Sequence, residues 1–363
     1  MNDLLKTLPK VELHRHLDGS LRFETVFDHG QRLGIFDHLK TSGMNAHDFK
    51  QEVWKKVKIL TPMVSLQAVL DSFWLTQKVM DYEAIIEQVA FENVEDCWRD
   101  GVVLAELRFA PVFMAQGKRL SHASIIQSVC RGVEKALKKF PIHIGLIYII
   151  PRGLDFEQNQ LSTRTLVQLL KKDSLVQKLM VGADLADVEK FEEMSRFVPM
   201  INDLRESGLK ITIHSGEDTN ASCLERTFEL YRPLRIGHGI KVIEDPKVMA
   251  VARDLGIHFE VCATSNYLTR CVASLQEHPI RQMMEQGLSI SINSDDPHLM
   301  NIDLIYEYTT LAEVHKFTLQ EFFEINKNAL KASFITDENK KLLEQKYFTS
   351  SGVLESKGRR PGR

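Results

Sequence analysis

The sequence predicts an α/β fold in which eight parallel strands close into a (β/α)8 barrel, or TIM barrel. Eight short apolar runs recur along the chain, and amphipathic stretches of helical spacing lie between them. This alternation is typical of parallel strands joined by right-handed helical crossovers. Polar residues that could bind a metal ion or transfer a proton stand at the ends of several runs, where a barrel carries its chemistry. We therefore expect residues 1–350 to form one barrel domain.

The strands are predicted from short apolar runs that Gly, Pro or polar residues bound. They cover residues 11–17, 102–110, 142–150, 179–185, 209–214, 234–238, 257–262 and 288–293. Helices are predicted at residues 125–139, 162–170, 190–205, 224–231, 245–255 and 280–286, and further helices fill the chain to about residue 347. A doubly wound open sheet is the alternative, but the turn after the first strand lacks a Gly-x-Gly-x-x-Gly pattern.

A mostly helical region, residues 23–99, separates the first two predicted strands and contains a loop at residues 40–48. It is too long for a simple crossover, so extra helices are expected after the first strand, as they are at the carboxyl terminus. Its apolar residues at helical spacing predict burial between helices; they include Trp54, Met63, Phe73, Trp74 and Met80. The alternative is that residues 40–80 form a mobile hydrophobic lid over a pocket.

The composition is that of an ordinary globular protein, with 44% hydrophobic and 26% charged residues. The formal net charge of −3 offers no electrostatic footprint for nucleic acid or an anionic membrane, and no long apolar run predicts a membrane span. Five cysteines without a Cys-x-x-Cys pair predict reduced thiols. No signal peptide fits ahead of the first strand, so we expect a cytoplasmic protein whose residues 351–363 form a disordered basic tail. Its oligomeric state stays open.

The first strand carries a His-x-His pair. Alternation along this strand places His14 and His16 on the same face as Glu12 and Asp18. Two strand residues span about 7 Å, so both imidazoles can converge on one metal ion. Zinc binds imidazole nitrogen well. An isolated pair of this kind could also be two unrelated histidines at a strand end.

Further polar residues gather at the ends of later strands, and they decide between those two readings. They are His214 and Glu217 after the fifth strand, His238 after the sixth, and Asp295 and Asp296 after the eighth. In a barrel these ends meet at one mouth. These residues could be structural polar groups that only cap the ends of strands. So many of them at one end of the barrel favour a mononuclear metal site instead. Three imidazoles and one carboxylate would leave a position for water, as a catalytic zinc site requires.

Four ordered motifs resemble those of the adenosine deaminase family. They are Pro-Lys-Val-Glu-Leu-His-Arg-His-Leu-Asp-Gly at residues 9–19, His-Ser-Gly-Glu at 214–217, Arg-Ile-Gly-His-Gly at 235–239 and Ser-Asp-Asp-Pro at 294–297. The resemblance implies a (β/α)8 hydrolase that converts adenosine or 2'-deoxyadenosine to inosine or 2'-deoxyinosine and ammonia through a zinc-activated hydroxide. It implies one Zn²⁺ per chain, although another divalent transition metal could occupy the site.

The resemblance also implies a role for each matching residue. The metal ligands would be His14, His16, His214 and Asp295. Glu217 would protonate the purine ring nitrogen, His238 would activate or steady the hydroxide, and Asp296 would hydrogen-bond the five-membered ring. The residues that contact the substrate would be His16, Asp18, Asp187, Gly216 and Asp296. Asp18 would face the ribose 5' end as an ionised carboxylate that accepts a hydroxyl proton and repels phosphate.

The chain departs from the family pattern at three places. Ala263 replaces a proline after the seventh strand, Ser215 replaces an alanine, and Asp187 replaces a glycine whose backbone would contact the purine. Asp187 leaves open a related 6-aminopurine as substrate, such as 5'-methylthioadenosine, adenine or an N6-substituted AMP. A non-catalytic nucleoside-binding relative is a further alternative, although the whole metal-and-acid set is present. A binuclear amidohydrolase would need a lysine at the end of the fourth strand, and residues 181–187 contain none.

Overall fold

A computed structural model describes residues 2–64 and 66–349 of the chain. The predicted basic tail at residues 351–363 lies outside these described residues. Eight parallel strands form one sheet in sequence order. They are β1 (Lys10–His16), β2 (Val102–Phe109), β3 (His143–Pro151), β4 (Met180–Ala186), β5 (Lys210–Ser215), β6 (Arg235–His238), β7 (His258–Val261) and β8 (Ser289–Ile292).

Helices lie between successive strands and around them. They are α1 (Asn2–Thr7), α2 (Phe23–Arg32), α3 (Ala46–Val57), α4 (Leu66–Gln77), α5 (Glu83–Arg99), α6 (Pro111–Ala115), α7 (His122–Leu137), α8 (Phe156–Lys172), α9 (Ser174–Leu179), α10 (Val198–Glu206), α11 (Ala221–Tyr231), α12 (Pro246–Asp254), α13 (Ala263–Leu268), α14 (Ile280–Glu285), α15 (Leu304–Val314), α16 (Leu319–Ala332) and α17 (Asp337–Tyr347). Short 3-10 turns cover Asp37–Leu39, Phe191–Phe197, Ile240–Glu244 and Leu275–Glu277. Within the described ranges, none of these helices is long and apolar enough to cross a membrane.

The first and last strands meet at their carboxyl ends, which brings the sheet close to a full circle. The backbone N–H of His16 donates to the carbonyl of Asp295 at 2.8 Å, and the N–H of Asp295 donates to the carbonyl of His14 at 3.0 Å. Below them, the Asn293 side chain on the β8 side accepts a hydrogen bond from the Leu13 backbone N–H at 2.9 Å. The predicted (β/α)8 fold is confirmed, and the open-sheet alternative is excluded.

Several helices differ from the prediction at points where capping decides the boundary. Asn45 caps α3 by accepting from the Asp48 backbone N–H, so helix begins inside the loop expected at residues 40–48. Asp155 caps α8 in the same way, and this helix begins at Phe156, six residues before the predicted start at residue 162. The helix expected at residues 190–205 is divided, because a 3-10 turn precedes α10 and Pro199 stands in the first turn of that helix. Helices α1, α6, α9 and α13 were not predicted.

The interior of the barrel contains buried charged side chains among the apolar ones. Glu106 and Arg108 alternate with apolar residues along β2, and both are fully buried. Across the barrel they meet Asp184 on β4, Arg235 on β6 and Glu260 on β7 through ion pairs of 2.6 Å. Because every charge in this network is desolvated, losing any one partner would leave an uncompensated buried charge. It lies beneath the mouth of the barrel and supports the side chains there.

The extra helices after β1 close over one side of the mouth. Val69 and Phe73 of α4 form a second apolar cluster, separate from the main core, with Ile59, Leu299 and Met300. The cluster joins the insertion to the loop that follows β8. The region therefore both packs against the barrel and covers its opening.

Candidate active site

The carboxyl ends of the strands open into a cavity of about 380 Å³, a size suited to a small organic ligand. The structure brings most of the predicted site residues to its wall. These are His16, Asp18, Asp187, His214, Glu217, His238, Asp295 and Asp296. His14 lies fully buried beside Asp295, and Gly216 lies in the turn between His214 and Glu217.

Three imidazoles and one carboxylate converge at the floor of this cavity. The Nε2 atoms of His16 and His214 lie 3.3 Å apart. Asp295 Oδ1 lies 3.3 Å from His14 Nε2 and 3.4 Å from His16 Nε2. Ligands at zinc–nitrogen and zinc–oxygen bond lengths around one tetrahedral ion would stand about 3.3–3.4 Å apart. The buried His14 Nε2 has no hydrogen-bond partner among the described residues, so the donor set fits a zinc ion.

A second group of possible ligands overlaps the first. It contains His14, His238, Cys262 and Asp295, whose ligand atoms lie within 4.8 Å of one another, as do those of His14, His16 and His214. A thiol binds metal as the thiolate, and burial raises the pKa of Cys262 well above its ordinary value. The three histidines and Asp295 are therefore better candidate ligands for a metal ion than the group that contains Cys262.

Two buried carboxylates orient two of these histidines. Glu260 Oε2 lies 2.9 Å from Nδ1 of His14, and Asp184 Oδ2 lies 2.9 Å from Nδ1 of His214. A proton on each Nδ1 leaves each Nε2 free as a ligand. Arg108 donates to both carboxylates at 2.6 Å, through Nη1 to Asp184 and Nη2 to Glu260. One guanidinium therefore joins the supports of both histidines.

The charges in this layer keep the carboxylates ionised despite their burial. Burial acts to raise the pKa of Glu260, but Arg108 and Arg235 hold that pKa well below its usual range. In Asp184, burial also acts to raise the pKa, and His214 and Arg108 together lower it. These supporting residues were not among the predicted site residues. Their signal was the appearance of charged residues at alternate positions inside otherwise apolar strands.

Glu217 faces the histidines from the turn after β5. Burial raises its pKa well above the ordinary value, and the nearby charge of Asp295 adds to the effect. Its Oε1 accepts a hydrogen bond from the Thr269 hydroxyl at 3.5 Å, and the Cys271 thiol lies 3.8 Å away. Its Oε2 lies 3.6 Å from His238 Nε2. A protonated carboxyl group here can act as an acid toward a molecule in the cavity.

A second carboxylate holds the turn that carries this acid. Glu189 accepts hydrogen bonds from the backbone N–H groups of Gly216 and Glu217 at 2.9 and 3.0 Å, and from the Thr219 hydroxyl at 2.6 Å. Gly216 has a φ of +66°, and a Cβ there would stand 2.6 Å from a methyl group of Leu224. Glycine is therefore required at this point of the turn.

His238 reaches the cavity in a different way from the one that strand alternation suggests. Regular alternation would place it on the face of Ile236, but Gly237 is the residue that faces the barrel interior, where a Cβ would stand 2.9 Å from His14 Cε1. His238 has a φ of +59°. This left-handed conformation turns its ring back toward the metal ligands, and its Nε2 lies 3.7 Å from Asp295 Oδ2.

The bend that Asp295 and Asp296 need in order to share one pocket occurs at Asp295 itself, whose φ is +61°. Burial raises the pKa of Asp296 well above the ordinary value, and Asp295 adds to the shift. Asp296 Oδ1 is buried without a hydrogen-bond partner among the described residues. It lies against Gly19, where a Cβ would stand 1.8 Å from that oxygen. Asp296 can therefore offer a proton to a ligand.

Asp18 stands on the same wall, four percent exposed. Burial raises its pKa to about 7, so near neutral pH it is partly protonated and not the fully ionised group that was expected. Its Oδ1 is buried and lacks a hydrogen-bond partner among the described residues, and the nearest imidazole nitrogen, Nδ1 of His16, is 3.8 Å away. Asp18 can therefore accept a hydrogen bond from a ligand.

Comparison with known proteins agrees with this geometry. The adenosine deaminase family matches residues 9–349 of the chain.

The chain belongs to the adenosine deaminase family.

Among its relatives, an adenosine deaminase of Vibrio parahaemolyticus is 34% identical over 346 residues, covering 94% of this chain and 98% of that protein. Solved structures are also similar in fold. An adenine deaminase from Arthrobacter aurescens has a TM-score of 0.79 at 24% identity, with 93% of this chain and 97% of that chain covered. An N6-methyl-AMP deaminase of Arabidopsis thaliana has a TM-score of 0.80 at 24% identity, covering 97% and 99%. The last two show the fold alone.

Asp187 occupies the place of a glycine in the adenosine deaminase pattern and keeps a glycine-like backbone. Its φ is +81°, a conformation that aspartate tolerates better than most residues. Its Oδ2 accepts from the Gly153 backbone N–H at 3.1 Å, and its Oδ1 accepts from the Val188 N–H at 2.7 Å. The carboxylate is thus tied to the turns after β3 and β4 at the cavity rim.

The other departures from the adenosine deaminase pattern change little around the site. Ser215 is fully buried and pairs with the Thr227 hydroxyl at 2.8 Å, away from the cavity. Ala263 begins helix α13, where the first turn accepts alanine as readily as proline.

Apolar and aromatic side chains form a further part of the cavity wall. Val69, Phe73 and Trp74 of α4 line it together with Phe113 of α6. The rings of Trp74 and Phe113 lie 4.8 Å apart between centroids. The two interpretations of this helix are therefore compatible, because the same side chains pack in a cluster and face the cavity. The mobility of residues 40–80 stays a prediction.

Proposed function

We propose that this chain hydrolyses adenosine or 2'-deoxyadenosine to inosine or 2'-deoxyinosine and ammonia, at a single zinc ion held by His14, His16, His214 and Asp295. The observation that carries the proposal is that three distances of 3.3–3.4 Å link the four ligand atoms, from His214 to His16, from His16 to Asp295 and from Asp295 to His14, beneath a cavity that also holds a buried acid. Zinc suits this donor set, although iron or cobalt could also occupy it. A bound zinc ion lowers the pKa of a water to about 7 and so supplies a nucleophile at neutral pH.

Glu217 supplies the proton that the purine ring needs. Addition to the carbon that bears the amino group places electrons on the neighbouring ring nitrogen, which must then take up a proton. Burial raises the pKa of Glu217, which favours the protonated carboxyl group that this step needs. Burial and the neighbouring Asp295 also raise the pKa of Asp296, and Asp296 in its protonated form donates a hydrogen bond to a nitrogen of the five-membered ring. His238, 3.6 Å from Glu217, steadies charge at the site of attack.

Asp18 favours an unphosphorylated ribose. Its unpartnered oxygen accepts a hydrogen bond from a 5'-hydroxyl group, and its negative charge, when present, repels a 5'-phosphate. Leaving a buried polar group without a partner costs about 1–3 kcal/mol, and about 1.4 kcal/mol is enough for a tenfold preference. A 5'-thioether lacks the hydroxyl proton that Asp18 accepts, so 5'-methylthioadenosine ranks below adenosine.

The test is a deamination screen of the zinc-loaded protein, followed by ultraviolet absorbance. Adenosine, 2'-deoxyadenosine, 5'-methylthioadenosine, adenine, AMP and N6-methyl-AMP are compared by kcat/KM. We expect the two nucleosides to lead and AMP to trail by at least about tenfold. Equal efficiency with AMP would contradict the role of Asp18, and no turnover of any purine by fully loaded protein would support the non-catalytic alternative.

Two matched variants assign the preference to one residue. Asp18→Asn should narrow the gap between AMP and adenosine, because the amide removes the charge without changing the shape. Asp187→Asn removes a charge from the rim and keeps a residue that tolerates positive φ. Because Asp187 is already paired with two backbone N–H groups, this second change should affect the ratio much less. A larger effect from Asp187→Asn would instead assign the preference for adenosine over AMP to Asp187 at the cavity rim.

The proposal also includes a cellular location and a binding partner. All five cysteines lie buried with free thiols, which suits the reducing cytoplasm that we propose as its location. The partner is a small purine nucleoside.

A further inference from the structure

A chain of hydrogen bonds runs from helix α14 to His238 and ends at the active site. Its members are the Ile280 backbone, the side chains of His278 and Asn266, and the imidazole of His238. We propose that Asn266 and His278 are positioning residues that hold neutral His238 with its proton on Nε2, so that this ring presents an N–H donor to the cavity. The inference deepens the role of His238 in the proposed deamination and rests on that role.

The direction of the chain is set by a backbone group. The N–H of Ile280 points to Nδ1 of His278 at 3.1 Å. A backbone N–H can only donate, so His278 Nδ1 must accept and carries no proton. His278 is three percent exposed, and burial lowers its pKa to about 3. The ring is therefore neutral, and its single ring proton resides on Nε2.

Asn266 passes this direction on to His238. His278 Nε2 lies 3.1 Å from Asn266 Oδ1, and it donates because it carries the proton. The amide oxygen is thereby occupied, so the amide nitrogen of Asn266 faces His238 Nδ1 at 3.1 Å. An amide nitrogen only donates. His238 Nδ1 must accept, and the proton of the neutral ring is left on Nε2.

The same reasoning fixes the side-chain orientation of Asn266. Rotating the amide by half a turn would place its nitrogen against the N–H of His278 and its oxygen against the lone pair of His238, which replaces two hydrogen bonds by two repulsions. Asn266 is fully buried, so water does not offer substitute partners. Its backbone is also anchored, because its N–H donates to the Cys262 carbonyl at 2.9 Å and its carbonyl accepts from the Val272 N–H at 3.1 Å.

The consequence concerns what His238 can do in the reaction. Its Nε2–H faces Glu217 Oε2 at 3.6 Å and Asp295 Oδ2 at 3.7 Å. With the proton already on Nε2, the ring has no lone pair on that side to take a proton from an attacking water. His238 therefore acts as a hydrogen-bond donor that steadies negative charge, and it does not act as the base.

The proton can be located directly by nitrogen NMR. Protonated and unprotonated ring nitrogens differ clearly in ¹⁵N chemical shift. Zinc is a d¹⁰ ion without unpaired electrons, so it does not broaden these signals. In zinc-loaded protein labelled with ¹⁵N-histidine, His238 is assigned through the signal that disappears in His238→Gln. We expect its proton on Nε2 at neutral pH. A proton on Nδ1, or protons on both nitrogens, would overturn the proposal in the unaltered protein.

Reversing one link should move the proton. Asn266→Asp preserves the shape and still accepts from His278, but it presents an oxygen acceptor to His238 Nδ1. We expect the His238 proton to appear on Nδ1 in this variant. The matched control is Asn326→Asp, because Asn326 is equally buried but accepts from the Val11 N–H and the Tyr308 hydroxyl near the amino end of β1. It should leave His238 unchanged.

Kinetics provide a second readout. Asn266→Asp should lower kcat at least about 10–100-fold, the scale of losses seen when the supporting partner of a histidine is removed. KM and zinc content should change much less, since Asn266 does not itself line the cavity and its side chain bonds to His238 and His278, neither of which is a proposed metal ligand. A His238 proton that stays on Nε2 in Asn266→Asp would refute the positioning role. The NMR result needs no turnover, so it stands apart from the outcome of the substrate screen.

Discussion

Replacing Arg108 by methionine should weaken both the barrel and its metal site. Arg108 is fully buried and donates to Asp184 and Glu260 at 2.6 Å each. Removing one partner from a buried ion pair costs about 3–5 kcal/mol, because the remaining charge is left in a desolvated place. Glu260 keeps Arg235 at 2.6 Å and Asp184 keeps His214 at 2.9 Å, so we expect the lower end of that range.

The size of the chain converts this cost into a temperature. At about 2.1 cal/mol/K per residue, a chain of 363 residues unfolds with an entropy of about 0.76 kcal/mol/K, so a loss of about 3 kcal/mol should lower Tm by about 4 °C. The looser carboxylates should also hold His14 and His214 less firmly. Losing such a support typically weakens metal binding about 10–100-fold.

Thermal unfolding at one scan rate measures the first effect, and competition with a chromophoric chelator measures the second. Arg108→Lys retains the charge, but an ammonium group cannot bridge two carboxylates as a planar guanidinium does, so it should fall between the wild type and Arg108→Met. Arg131→Met is the matched control, because Arg131 pairs with Glu83 and Glu87 at the surface and should change Tm little. Wild-type Tm and zinc affinity in Arg108→Met would refute the reasoning.

Two further predictions concern the metal and the acid. His214→Ala removes one of four ligands and should strip or sharply weaken zinc; elemental analysis showing full occupancy would contradict the ligand assignment. Glu217→Gln should lower kcat about 10²–10⁴-fold, while zinc content and ground-state binding, measured separately, change far less. Because burial raises the pKa of Glu217, its proton is present below that pKa and lost above it, so kcat should fall as the pH rises through it. That alkaline limb should be absent in Glu217→Gln, and its persistence would assign the limb to another group.

Hydrophobic patterning is a sufficient guide to the strands of this fold. The apolar runs at residues 102–110 and 142–150 correspond to β2 (Val102–Phe109) and β3 (His143–Pro151), because a strand buried on both faces has few alternatives. Helix boundaries are less predictable. Asp155 and Asn45 determine where α8 and α3 begin through single side-chain bonds, and such local bonds compete with turns that the sequence permits equally well.

The site residues also include some that the sequence pattern predicts and some that it does not. Alternation brings His14 and His16 to one face of β1, but it fails at His238, where a left-handed residue reverses the direction of the side chain. Residue type only favours or disfavours such a conformation, and the surrounding tertiary packing decides whether it occurs. The partners of these rings were harder still to predict. Glu260 and Asn266 bond to His14 and His238 across the fold, and neither shares a strand or a sequence period with its partner.

The meeting of β1 with the end of β8 bears on how the protein acquires its metal during synthesis. His14 and His16 emerge early from the ribosome, whereas Asp295 belongs to the last fifth of this sequence and pairs with Arg15 only when the circle closes. A nascent fragment that ends before Asp295 contains the histidines but lacks the carboxylate and the backbone hydrogen bonds that join it to β1. The full set of proposed metal ligands is therefore assembled only in the nearly finished polypeptide.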